Sequence, residues 1–336
     1  MSPGPNRKNV ILLVLLAVAV VVFLGTPFVG MTDISLESIF RPEEGRIEPE
    51  IFWGIRLPRV LVAFMAGAAL AVSGMAFQAM FRNPLATPFT LGVSSGASLG
   101  AAVYVQSGIS FAVLGISGLS IAAFIGSISA ILLVYGITRA RKGFSTGTML
   151  LAGVAVNFFS SSVMLFIQYM SDFTQSFRIL RWLMGGLEVA GFESVLNMAP
   201  FVVIGCAILF FLTHELNLMT VGEDIAVSRG VDVRRVKPVL FFATSLMIGG
   251  VVAVCGPIAF VGMMAPHISR LIIGSGHVYL MPATLLFGGA FLTLCDTLSR
   301  ILIAPAEIPV GVITSLLGAP FFIWLLLGRS GKLGVW

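Results

Sequence analysis

Long apolar stretches alternate with short polar segments along almost the whole chain, and charges or proline–glycine clusters close each stretch. Crossing the hydrocarbon layer takes about 20 apolar residues in a helix. Charge-free intervals of that order place ten spans, at residues 10–29, 60–81, 92–106, 113–137, 145–169, 195–213, 239–262, a short eighth ending near Gly274, 279–302 and 309–327. The pattern predicts an all-α polytopic membrane protein of ten transmembrane helices, with residues 1–336 as a single domain. The segment 172–193 is too polar to span, and Phe177 to Leu187 reads as a short surface helix. The segment His214–Lys237 is the longest polar stretch after the first loop, and two short helices separated by Gly230 fit it.

One stretch breaks the apolar pattern from within. Arg82 to Gly96 carries two prolines, two glycines and a run of hydroxyl and amide side chains. Proline removes a backbone donor and disfavours helix in the residue before it. The chain is therefore expected to lose its helix at Asn83-Pro84 and Thr87-Pro88. Irregular backbone at membrane depth is tolerated only against protein or a water-filled cavity, which marks this stretch as part of a transport path.

A shift of 182 residues lays Gly67 on Gly249, Gly74 on Gly256, Pro84 on Pro266 and Gly92 on Gly274. Leu-Ala-Val-Ser-Gly at 70–74 thereby echoes Val-Ala-Val-Cys-Gly at 252–256. Spans 2 and 7 are five apart and cross in opposite senses, so the repeat is inverted, covering spans 2–5 and 7–10. Interrupted segments at matching positions of two halves point to the pathway of a transporter.

Composition agrees with this reading. Of 336 residues, 57% are hydrophobic and only 10% charged, with mean hydropathy +1.03, whereas soluble domains carry about 25% charged residues. The net charge of +5 has no basic face interleaved with aromatics, so nucleic acid is not expected as a partner. Residues 10–29 follow Arg7 and Lys8 as a signal peptide would, but they are long for one, and no small-residue cleavage site follows before Asp33. They are read as a retained first span. With the N-terminus inside, the cytoplasmic segments hold Arg7, Lys8, Arg82, Arg139, Arg141, Lys142, Arg229, Arg234, Arg235, Lys237, Arg329 and Lys332. The outer loops hold most of the acids, among them Asp33, Glu37, Glu43, Glu44, Glu48 and Glu50. Basic residues favour the cytoplasmic side, so both termini are expected there. This orientation puts Asn83-Pro84-Leu85 at the cytoplasmic mouth and Pro266-His267 at the outer one.

Few side chains offer chemistry. Asp296 is the one acid within an apolar span, and intramembrane acids are functional candidates. Arg300 lies one helical turn on, in the order that favours an ion pair. A structural Asp296–Arg300 pair is expected, with a proton relay as the alternative. Cys206, Cys255 and Cys295 have no metal or disulfide spacing and are read as small packing residues. His267 beside Pro266 has no second ligand at metal spacing, so no metal site is expected. No Gly-x-x-x-x-Gly-Lys-Ser/Thr phosphate loop occurs in the sequence, which assigns any ATP hydrolysis to another chain.

Several motifs carry a family resemblance: Arg56-Leu-Pro-Arg59, Ala68-Ala-Leu-Ala-Val-Ser-Gly74, Arg82-Asn-Pro-Leu-Ala86, Leu91-Gly-Val-Ser-Ser-Gly96, Leu151-Ala-Gly-Val-Ala155, Trp182-Leu-Met-Gly-Gly186, Gly256-Pro-Ile-Ala-Phe-Val-Gly262, Ala265-Pro-His-Ile-Ser-Arg270 and Pro309-Val-Gly-Val-Ile-Thr314. Together they resemble the FecCD/BtuC-like permease subunits of ABC importers for iron-siderophores, haem and cobalamin. The resemblance implies a homodimer in the prokaryotic inner membrane and two cytoplasmic ATPase subunits that use ATP and magnesium. It also implies an extracytoplasmic substrate-binding protein and alternating access driven by ATP. It makes 214–237 the ATPase coupling loop, with Gly222, Glu223, Asp224, Ala226, Arg229 and Gly230 as its key residues and Ile225, Ala226, Val231 and Val233 giving it a docking surface. Asn83, Leu85, Ser145 and Thr146 match the cytoplasmic gate; helix capping is the competing reading for Ser145. Arg56, Arg59 and Arg300 match the docking site for glutamates of the binding protein, while Arg59 at the end of span 2 is also placed to snorkel. The alternative class, an inverted-repeat secondary transporter, needs ion-coupling residues at the midplane, where only Asp296 is available.

Overall fold

The computed structural model describes residues 4–35, 37, 39, 47–113, 115–140, 145–187 and 191–328. Glu43, Glu44, Arg141, Lys142, Arg329 and Lys332 lie outside the described residues. The chain is almost entirely helical: α1 (Pro5–Gly25), α2 (Leu57–Phe81), α3 (Val93–Ser107), α4 (Gly118–Ala140), α5 (Thr146–Met170), α6 (Phe173–Leu183), α7 (Glu193–Phe211), α8 (Thr213–Val221), α9 (Glu223–Ser228), α10 (Val233–Cys255), α11 (Val261–Ile273), α12 (His277–Ile301) and α13 (Val310–Gly328). A π-helical turn, Ile51–Arg56, leads into α2, and one small antiparallel hairpin pairs β1 (Ala112–Val113) with β2 (Ile116–Ser117) ahead of α4.

Among the described residues, seven helical segments are long and apolar enough to cross a membrane, and α11 and α13 are shorter apolar helices. With α3 they correspond to the ten expected spans. The 15 residues of α3 rise only about 22 Å, too little to cross the hydrocarbon alone. The irregular chain before α3 covers the remaining depth.

Helix α2 is the axis of the bundle. Its sequence, rich in Ala, Gly and Ser, is buried over most of its length, because small residues let neighbouring backbones approach closely in lipid. It packs along α10, α11 and α12. A Cβ added at Gly74 would collide with the Gly262 carbonyl, and one at Gly67 with the Gly288 carbonyl. Helices α3 and α4 cross at Gly96, Gly100 and Gly126.

Contacts fix which helix ends share a side. The Lys8 ammonium stands over the Tyr279 ring, and Asn217 accepts the backbone N–H of His277 at 2.8 Å. The starts of α1 and α12 and the segment α8–α9 therefore share one end, here termed proximal. The end of α1, the start of α2 and the end of α12 meet at the other, distal end through Arg56, Arg59 and Arg300.

Four expectations shift. The surface helix is Phe173–Leu183 rather than 177–187, because Asp172 and Gln175 form a reciprocal capping box that sets its start. The two short helices of 214–237 are separated by Gly222, whose φ 155° and ψ 148° suit glycine alone; Gly230 instead separates α9 from α10. The β1–β2 hairpin takes residues expected at the start of span 4. Finally, the second break is at Gly256–Phe260, not at Pro266-His267. Helix α10 ends at Cys255, Gly256 adopts φ 66°, and Pro266 lies inside α11. The 182-residue shift thus pairs Pro84, in irregular backbone, with a proline in a helix. The order of long helix, break and short helix nevertheless occurs twice, in α2–α3 and in α10–α11. Because α11 descends to the start of α12, Pro266-His267 lies in the proximal half and not at the distal mouth.

Gly74→Val should lower the detergent unfolding midpoint and the yield of monodisperse protein, since overpacking costs about 1–3 kcal/mol or more. Gly136→Ala, where nothing lies within 4 Å of the added carbon, should leave both unchanged.

Candidate functional site

Polar side chains concentrate at three levels of the bundle. At the distal end they form a charge cluster. The Arg59 Nε donates to both oxygens of Asp296 at 3.0 and 3.2 Å, and its Nη2 lies 2.9 Å from Oδ1. Its Nη1 donates to Glu307 at 2.9 Å. The Arg300 Nε approaches Asp296 Oδ2 at 3.3 Å, while its Nη1 donates to the Val29 carbonyl at 3.1 Å. The Arg56 guanidinium donates to the carbonyls of Pro27 (3.1 Å) and Thr32 (2.6 Å). All three arginines are buried, and with Glu307 and Thr32 they line a cavity of about 150 Å³.

The expected Asp296–Arg300 pair is present, but Arg59, from the other end of the sequence, is the closer and better aligned partner. A carboxylate held by two guanidiniums is a brace between α2 and α12. Arg59 does not snorkel: its fork faces inward and is occupied by Asp296 and Glu307. Arg56 and Arg300 likewise spend donors on the chain that follows α1.

At the proximal end, α8 and α9 lie between α7 and α10. Ala226, Val231 and Val233 are buried and seat the segment on the bundle. The exposed face is instead Val221, Asp224, Ile225, Val227 and Arg229. Of the four apolar residues expected to make a docking surface, only Ile225 is outside. The Asp232 carboxylate caps α10 by accepting from the Arg235 N–H at 3.3 Å. Lys237, fifth residue of α10, is 2% exposed. Its ammonium meets Glu223 Oε1 at 2.5 Å and Thr146 Oγ1 at 3.3 Å, and the Thr146 hydroxyl donates to the same Glu223 oxygen at 3.4 Å. Residues expected in two separate roles, Glu223 and Thr146, thus meet on one lysine. Ser145 occupies the N-cap position of α5, yet its hydroxyl makes no capping bond. Asn83 Oδ1 accepts from the Leu85 N–H at 2.9 Å, closing a turn that leaves Leu85 57% exposed.

Between the two ends, the two breaks come together. Thr87–Thr90 from the first and Ile258–Phe260 from the second line a cavity of about 330 Å³ with Leu70, Asn157 and Met263. The Asn157 amide donates to the carbonyls of Phe89 and Thr90, both at 3.2 Å. Gln78 does the same service for α11. Pro266 has no N–H for the carbonyl four residues back, Gly262, and the Gln78 Nε2 approaches that carbonyl and that of Met263 at 3.4 Å. The Gln78 oxygen accepts from Arg270 at 2.5 Å. His267 is buried with its ring edge-on to Phe321, centroids 6.2 Å apart.

Sequence reasoning passed over Lys237, Asn157, Gln78 and Glu307. Gln78 stands alone as an amide inside its apolar span, and Asn157 sits mid-way along its own, a signal equal in kind to Asp296. Lys237 was counted only as cytoplasmic charge, and nothing in its local sequence marks it as buried.

Comparison with known proteins agrees with this layout. The FecCD transport family matches residues 12–328. The hemin transport system permease protein HmuU of Yersinia pestis is 37% identical over 325 residues, covering 96% of this chain and 97% of that protein. The cobalamin import system permease protein BtuC of Halobacterium salinarum is 40% identical over 276 residues, covering 82% and 73%. An inward-facing metal-chelate-type ABC transporter superposes with a TM-score of 0.85 at 30% identity, covering 95% of this chain and 99% of that one.

Asp296→Asn should destabilise the chain strongly, by about 3–5 kcal/mol, because it leaves two buried guanidiniums without their counter-charge. Thermal unfolding in detergent reads the loss. Glu307→Gln, at a 38% exposed side chain, should cost under about 1 kcal/mol. Equal losses would contradict the brace.

Proposed function

Because the chain belongs to the FecCD transport family and is a permease subunit of an ABC importer, we propose that it carries an iron chelate, a ferric siderophore or haem, into a prokaryotic cell. The observation that carries the ATP-driven importer reading is the proximal segment α8–α9. It offers an exposed apolar and charged face, Val221, Asp224, Ile225, Val227 and Arg229, while the partly exposed Glu223 meets Thr146 at the start of α5. A cytoplasmic ATPase docked there would act on the gate residues Ser145 and Thr146, with Asn83 and Leu85 opposite.

The working unit is a homodimer in the inner membrane, with both termini in the cytoplasm. Two copies enclose the path along α5, a long helix that leaves Leu151 and Phe158 more than two-thirds exposed in the single chain. Two ATPase subunits use ATP and magnesium at the proximal face, and this chain holds no cofactor. A substrate-binding protein docks over Arg56, Arg59 and Arg300 at the distal cavity, and one of its carboxylates takes the place of Glu307 on the Arg59 Nη1. The iron-chelate assignment rests on HmuU and on the metal-chelate transporter as relatives; cobalamin is the competing solute through BtuC. A proton-coupled route has little support, since Asp296 is held between two arginines.

Vesicles containing the chain, its ATPase and its binding protein should take up a ferric siderophore or haem only with ATP. Replacing residues 222–230 by a Gly-Ser linker should release the ATPase during purification. Concentrative uptake by the chain alone, driven by an ion gradient, would refute the proposal; cobalamin-only uptake would reassign the solute.

A further inference from the structure

The proximal contacts contain a device that joins docking segment to gate. Lys237 sits in the second turn of α10 and is almost wholly buried. A buried ammonium is stable only when paired and hydrogen-bonded. Glu223 supplies the charge from the first residue of α9, directly after the Gly222 turn, and Thr146 supplies a hydroxyl from the first residue of α5. The Thr146–Glu223 bond closes a triangle of three contacts among three helices. Breaking the Lys237–Glu223 side leaves a buried ammonium without its counter-charge, since the Lys237 side chain is 3% exposed and that of Glu223 43%.

Two further features make this a rigid joint. Ala226, one turn along α9, is fully buried and its carbonyl accepts from the Val231 N–H at 3.0 Å, folding the segment back on itself. Asp232 caps α10 just before Lys237. The flexible points lie outside the triangle, at Gly222 and Gly230, both with positive φ.

We propose that Lys237 is a positioning residue that clamps α9 to the starts of α5 and α10, so that displacement of the docked face moves the gate helix with it. This rests on reading 214–237 as the ATPase-docking segment. Lys237 touches neither solute nor nucleotide; it acts through Glu223 and Thr146. Without it, the ATPase still binds the exposed face and still hydrolyses ATP, but α9 swings on its glycines and α5 stays behind.

The test uses the complete importer in vesicles, measuring ATP hydrolysis and uptake on the same sample. Lys237→Met and Thr146→Val should retain the ATPase and its turnover while solute moved per ATP falls clearly below the wild-type ratio. Lys237→Arg, which keeps the charge, should restore most of the ratio. Glu223→Gln combined with Lys237→Met should be no worse than either alone. A merely structural lysine would lower the folded yield while leaving solute per ATP in the folded fraction unchanged. That result in Lys237→Met, or a normal ratio in Thr146→Val, which deletes only a hydroxyl, would overturn the clamp. If the wild-type chain fails to hold the ATPase, the docking reading itself fails, and the clamp with it.

Discussion

Backbone that is not helical must still find hydrogen-bond partners when it lies inside a membrane, and the structure is arranged around that requirement. The first break, residues 82–92, carries carbonyls to mid-depth, where the Asn157 amide takes two of them. In α11, just past the second break, Pro266 leaves the Gly262 carbonyl bare, and Gln78 covers it. Both amides come from long neighbouring helices, α5 and α2, so the first break and the helix that follows the second are bonded to the rigid frame. The two breaks then face one cavity. A span without such partners would have to remain an unbroken helix, and the bundle would have no interior surface for a solute to pass.

The charges follow the same logic. Asp296, Arg59 and Arg300 are buried together at the distal end, and at the proximal end the buried Lys237 pairs with the partly exposed Glu223. Each cluster ties together helices that are remote in sequence. The distal one braces α2 against α12, and the proximal one gathers α5, α9 and α10. Between them the helices meet through glycine and alanine, which permit close approach but supply little directional restraint. The ends of the bundle are therefore held by charge and its middle by shape. That division suits a transporter, in which the ends receive partners and the middle changes contour.

Much of this was legible in the sequence. Charge-free intervals located the helices, and Asn83-Pro84 and Gly92 marked the first break. The second break was misplaced, because Pro266 is a stronger local signal than Gly256 yet is rescued by a side chain 188 positions away in the sequence. Asp296 was recognised as an intramembrane acid, but its main partner, Arg59, was not, since helical spacing reveals only neighbours on the same helix. The polar segment 214–237 does hold short helices, α8 and α9, whereas three of the four apolar residues expected on its outer face, Ala226, Val231 and Val233, turn inward. A segment of six residues, α9, is too short for periodicity to tell one face from the other.

The central claim is that the exposed proximal face and the start of α5 move as one body during transport. Spin labels at Ser145 in the two copies of the proposed dimer, and at Ser145 and Asp224 within one copy, would report this by pulsed dipolar distances in the assembled importer. The account predicts that adding ATP changes the Ser145–Ser145 distance across the dimer while the Ser145–Asp224 distance within each copy holds. An inter-copy distance that ignores nucleotide, or an intra-copy distance that changes instead, would contradict it.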